Sequence, residues 1–135
     1  MLKNRFWGVL MEKFNWQDLT SLEIKQLAEE QAMVIIPTGA TEQHGTHLPT
    51  GTDTIIINNI ASKVASKLNK IGTKCIVAPV LKVTNSMNHL SFHGTLTLSP
   101  QTYIQVLTEY CESIYKNGFR KIVLLNGHGG NISIN

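Results

Sequence analysis

Cysteine is scarce in this chain. Cys75 and Cys111 are the only two, each in an apolar stretch, and no CxxC pair exists. That pattern argues against a thiolate metal cluster and against a disulfide framework, and both thiols are expected to be free and buried. Charge is sparse too: charged residues make up 16% of the 135 and the net charge is +3. The nearest thing to a basic cluster is Lys63, Lys67, Lys70 and Lys74, which recur like the wet face of a helix. The pI of 9.0 comes with no basic-aromatic motif, so no nucleic-acid partner is expected. No apolar run approaches the roughly 20 residues of a membrane helix. The start, MLKNRFWGVLMEK, lacks the continuous apolar region of a signal peptide. Cytoplasm, with no membrane partner, is therefore the expected setting.

What is present is enough apolar material for a core. The hydrophobic fraction is 42%, which suits a globular domain, and the length suits one domain over residues 1–135. The first ten residues show no clear period, and Met11 is an alternative start. Thr20 and Glu23 fit a capping box, predicting a helix over residues 21–31. Met33-Val34-Ile35-Ile36-Pro37 reads as a strand buried on both faces. From Thr54, the positions Ile57, Ile60, Ala61, Val64, Ala65 and Leu68 recur at helical spacing, with Gly72 beyond the end. Residues 75–80 form a second apolar strand. A mostly polar segment, residues 82–98, then leads to Ser99-Pro100, a helix entry that spends no N–H. Ile104, Leu107, Cys111 and Ile114 mark one face of that helix, and Gly118 ends it. Residues 121–125 form a third buried strand. Strands alternating with helices predict an α/β fold with a mainly parallel sheet, the three strands adjacent. Ligands bind such sheets at the carboxyl ends of the strands.

Two of those ends run into chemically loaded loops. The first spans residues 38–53 and contains Glu42, His44, His47 and Asp53. In an extended segment, Glu42 and His44 point to the same side. Glycines allow the loop to return Asp53 towards them. A carboxylate–imidazole–carboxylate set suits a divalent ion such as Zn²⁺ or Mn²⁺. On spacing alone, Asp53 is equally readable as a helix N-cap and the histidines as surface residues. His128 tips the balance towards metal, because it sits in a glycine-rich turn after another strand, where a fourth ligand would meet the first three.

Glu42-Gln43-His44-Gly45, followed by His47-Leu48-Pro49 and Asp53, resembles the signature of the creatininase (creatinine amidohydrolase) family. The segment from His89 to Leu98 is similar to the family's second motif. Asn126-Gly127-His128-Gly129-Gly130-Asn131 is similar to its third. The resemblance covers about residues 14–131. It implies a three-layer α/β sandwich and two divalent ions near the strand ends, Zn²⁺ first, with Mn²⁺ or Fe²⁺ as alternatives. It implies hydrolysis of C–N bonds in amides, cyclic amides, formamides or a peptide precursor, hence a small-molecule amide substrate, and a homo-oligomer for the full-length form. Carried over, Glu42 and His128 would hold one ion, His44 the other, and Asp53 would bridge them. His89 would stand near the site, behind the ligands, with a plain surface histidine as the other reading. His47 would orient the first loop.

The chain departs from the family in three places. His93 stands where a Phe-Pro-Gly-Thr pattern usually has proline, which leaves that turn freer. Gly130 stands where creatininase proper has an acidic ligand. Family domains are roughly twice as long, so the resemblance implies a fold truncated at the C-terminus, lacking a downstream glutamate and the general acid or base. A catalytically inactive metal-binding remnant, or a fragment that needs a partner to fold, is the competing expectation.

Overall fold

Thr20 caps the first helix as its sequence requires. Its hydroxyl accepts from the Glu23 backbone N–H, and the Glu23 carboxylate accepts from the Thr20 backbone N–H at 2.7 Å. This helix, α1 (Ser21–Glu29), ends two residues before the predicted limit. Glu30 already leaves helical geometry and Gln31 has φ 57°. In this computed structural model residues 13–134 are described, so the readings of residues 1–12 as an alternative start and as no signal peptide lie outside them.

The chain then alternates as the apolar runs demand: β1 (Met33–Thr38), α2 (Thr52–Lys70), β2 (Cys75–Val77), α3 (Pro100–Lys116) and β3 (Lys121–Asn126). The three strands form one parallel sheet in the order β2-β1-β3. Met33 sits between Cys75 and Lys121, and Thr38 pairs with Asn126. Because side chains alternate across a strand, β1 feeds two cores. Val34 and Ile36 pack with Ile24, Leu27, Ile114 and Phe119 under α1 and α3. Ile35 packs with Ala61, Ala65, Cys75 and Val77 under α2. Helices therefore cover both faces of the sheet, which gives the expected three layers.

Several sequence expectations need correction. The second strand stops at Val77 rather than Val80. Pro79 has no N–H to give a ladder, although Leu81 N–H still reaches the Pro37 carbonyl at 3.0 Å. The third strand is not fully buried: it is an edge, and Val123 is exposed. Ile60 and Ile104 do not face the sheet, being 43% and 50% exposed. The inward rows are Ile57-Ala61-Ala65 on α2, all three among the expected positions, and Tyr103-Leu107-Ile114 on α3, where Tyr103 alone was not expected. A sequence pattern gives the period of a helix, but its rotation about its axis is set by which side chains fit. Cys75 is buried as expected, whereas Cys111 is only partly so; both are free.

The remaining punctuation follows the sequence. Ser99 caps α3 by accepting from Thr102 N–H at 3.2 Å, with Pro100 next. Gly118 has φ 101°, a conformation that disfavours a side chain, and a Cβ there would lie 3.2 Å from Ala28.

Candidate metal centre

The loops that follow β1, β2 and β3 gather at the carboxyl ends of the strands. Close approach of α2 makes this possible. A Cβ on Gly39 would lie 2.7 Å from the Thr54 backbone, and one on Gly127 would lie 2.5 Å from Ile57 Cβ. Both glycines thus let the first turn of α2 touch the ends of β1 and β3, with Asp53 in that turn. Asp53 does not cap the helix: Gly51 occupies the cap position, and α2 starts at Thr52, two residues earlier than expected.

The Asp53 carboxylate instead faces two imidazoles. Oδ1 lies 3.0 Å from His44 Nε2, and Oδ2 lies 2.8 Å from His128 Nδ1. Glu42 Oε1 is 3.5 Å from the same His128 nitrogen. Glu42, Asp53 and His128 each offer an atom within 4.8 Å of the others. All four residues named from the sequence as metal ligands therefore converge. The loop reaches this geometry by turning rather than by running extended. Gly45 has φ 72°, and Glu42 N–H donates to Thr50 O at 2.9 Å.

The far nitrogen of each ring fixes what the near one presents. His44 Nδ1 donates to the Glu42 carbonyl at 3.1 Å, so its Nε2 turns a lone pair to Asp53. His128 Nε2 donates to the Asn85 carbonyl at 2.9 Å, so its Nδ1 turns a lone pair to Asp53 and Glu42. Two lone pairs facing one carboxylate repel unless a cation or a proton stands between them. The Glu42 carbonyl in particular pushes the His44 pKa above its ordinary value, with Asp53 adding to the shift against the opposing effect of burial. Histidine ligands to metals almost always carry such a hydrogen bond on the other nitrogen.

Comparison with known proteins gives the family. The sequence model of the creatininase family, described as creatinine amidohydrolase, matches residues 17–135. The chain belongs to the creatininase family. It is 35% identical over 115 residues to 3-dehydro-scyllo-inosose hydrolase of Thermotoga maritima, covering 84% of this chain and 35% of that protein. It is 34% identical over 120 residues to mycofactocin precursor peptide peptidase of Mycobacterium tuberculosis, covering 85% and 47%. A solved glutamate-to-glutamine mutant creatininase of Zn–Zn type superposes with TM-score 0.80 at 25% identity, covering 89% of this chain and 47% of that one. The chain thus spans between a third and a half of the relatives it matches.

Within this creatininase-family chain, the other sequence candidates separate. His89, in a short 3-10 turn (Met87–His89), lies at the mouth: its Nε2 is 4.0 Å from Glu42 Oε2. His47 is exposed beside Gly45, and His93 is exposed in the turn before Gly94, whose φ is 88°. Gly130 is sterically bound to the His128 geometry. A Cβ there would lie 2.3 Å from the Asn85 carbonyl oxygen and 2.5 Å from His128 Nε2. The sequence reading missed the asparagine framework. Asn131 is fully buried, its Oδ1 accepting from Asn85 N–H at 3.3 Å, while Asn85 Nδ2 donates to Gly130 O at 3.0 Å. Asn126 Oδ1 accepts from His128 N–H at 3.2 Å. Two of these asparagines stood in the quoted motif, and polar residues flanking a glycine-rich turn are the signal that would have found them. Asn85 and Ser86, whose hydroxyl is 3.3 Å from His128 Nε2, carried no signal in the sequence.

Proposed function

We propose that the chain carries the N-terminal part of a dinuclear metal site belonging to a hydrolase of C–N bonds in amides, cyclic amides or formamides. One observation carries this reading: the two oxygens of Asp53 face ring nitrogens of two different histidines, at 3.0 and 2.8 Å. Glu42, His128 and Asp53 would hold one ion. His44 would hold the other, with Asp53 shared.

The donor set fits such ions. Mixed nitrogen and oxygen donors suit Zn²⁺, with Mn²⁺ or Fe²⁺ also acceptable. Ligands at about 2.0–2.2 Å from a tetrahedral ion stand roughly 3.3–3.6 Å apart, close to the 3.5 Å between His128 and Glu42. The two shorter contacts would open by a few tenths of an ångström. When bound, such a pair supplies Lewis acidity, acidifying water to a pKa of about 7 and polarising a carbonyl. The protein's own residues supply the orientation. The Asn85 carbonyl keeps the His128 lone pair inward, the Glu42 carbonyl does the same for His44, and the glycine contacts hold Asp53 between them. His89 stands at the mouth beside Glu42 as a positioning group. The reading takes a small-molecule amide as substrate, a cytoplasmic setting and a homo-oligomeric full-length form. It assigns no role to nucleic acid or to a membrane; among the described residues no helix is long and apolar enough to cross one.

A specific observation favours a second reading, metal binding without turnover. Among the described residues the second ion has only His44 and the shared Asp53, and Gly130 leaves no room for an acidic side chain. Zn²⁺ and Mn²⁺ calorimetry on this chain, with an amide and formamide hydrolysis assay on the same sample, tests both. The expected result is weak binding of one ion, removed by His128→Ala, with little or no hydrolysis. Two tight ions per chain and turnover abolished by His128→Ala would overturn the second reading. Binding indifferent to His128→Ala would overturn the first.

A further inference from the structure

Glu42 Oε2 is buried and accepts no hydrogen bond from the described residues. A buried carboxylate oxygen without a donor is unfavourable, so a donor aimed at it has a purpose. The group facing it is His89 Nε2, 4.0 Å away. Whether that nitrogen bears a proton depends on the other side of the ring, where His89 Nδ1 lies 3.2 Å from the side-chain nitrogen of Gln43.

The orientation of the Gln43 carboxamide is settled independently. Its Oε1 accepts from the Gly45 backbone N–H at 3.0 Å, and a backbone N–H can only donate. The amide nitrogen must therefore be the end that faces His89. An amide N–H donates, so His89 Nδ1 accepts, and the ring proton sits on Nε2. The Gln43 backbone is held as well, its N–H donating to Thr95 Oγ1 at 3.2 Å across the site mouth. We infer that Gln43 is a positioning residue: it reads the Gly45 turn and fixes His89 as the Nε2–H tautomer aimed at the open oxygen of Glu42.

The 4.0 Å gap is wider than a hydrogen bond. A small swing of the ring would close it, and the side chain's 40% exposure leaves room for that swing. The consequence is a division of labour on one carboxylate. Oε2 accepts from His89 Nε2–H once the ring closes the gap, which leaves Oε1 turned to His128. The inference rests on the metal-site reading only for its consequence, since the tautomer is a property of the metal-free chain.

The test is a two-bond 1H–15N correlation spectrum of the metal-free full chain with 15N-labelled histidine, at a pH where His89 is neutral. His89 is expected as Nε2–H. Gln43→Glu places an acceptor against Nδ1 and is expected to move the proton there. His89 found as Nδ1–H in the unaltered chain, or unmoved in Gln43→Glu, overturns the proposal. Zn²⁺ calorimetry then reads the consequence. Gln43→Met and His89→Phe are each expected to weaken binding about 10-fold, the lower end for lost partners of a metal ligand. The double variant should be no weaker than either single one; additive losses would overturn the coupling. An unaltered chain that binds no Zn²⁺ would sink the metal reading, while the spectra would still decide the tautomer.

Discussion

His128 Nδ1 and Asp53 Oδ2 lie 2.8 Å apart although 75 positions separate them in the chain. His128 follows the end of β3, and Asp53 sits in the first turn of α2. Neither is placed by its local sequence alone. Parallel pairing of β1 with β3 and the glycine contacts of α2 bring them together.

Asp53→Asn should lower Zn²⁺ affinity by more than about 100-fold, since loss of mere supporting partners already costs 10–100-fold. The helix should survive, because Gly51 and not Asp53 occupies its cap. Calorimetry beside circular dichroism checks both halves. Unchanged zinc affinity would remove Asp53 from the site.

Gly130→Glu should not create a second-ion ligand. The new Cβ would meet the Asn85 carbonyl oxygen at 2.3 Å. Overpacking of this kind typically costs about 1–3 kcal/mol, readable by denaturant unfolding. A variant that is fully stable and holds two zinc ions would contradict this steric reading.

The capping box makes α1 sensitive to acid. Hydrogen bonds from the Thr20 backbone N–H, and then from its hydroxyl, hold the Glu23 carboxyl below its ordinary pKa of 4.5. A depressed folded pKa means that the contribution is complete above the unfolded value and is lost as pH falls through the folded one. The stability difference between the unaltered chain and Glu23→Gln should therefore shrink between about pH 6 and about pH 3. A difference that stays constant across that window would show that the carboxylate charge is not what the cap uses.

Cys75 should resist alkylation. Burial pushes its thiol up to about 11, and the thiolate is the reactive form. Iodoacetamide at neutral pH should modify the partly exposed Cys111 well before Cys75, as peptide mass mapping would show. Early modification of Cys75 would mean that the sheet opens readily beside β2.

The sequence by itself determined the elements and the candidate ligands. Periods, the Thr20–Glu23 box and the Ser99-Pro100 entry are local features, and local hydrogen bonding is enough to realise them. Glu42, His44, Asp53 and His128 were legible because few residue types bind divalent ions and the loops holding them follow apolar strands. Tertiary structure alone decided the rest. It turned Tyr103 inward and left Ile60 and Ile104 exposed, because packing against the sheet selects by fit and not by hydrophobicity alone. It cut β2 at Val77 and made β3 an edge. It also chose which nitrogen of each histidine faces the site, through the carbonyls of Glu42 and Asn85 and the carboxamide of Gln43. A ring nitrogen takes its role from the atom opposite it, and for His89 and His128 that atom comes from a distant part of the chain.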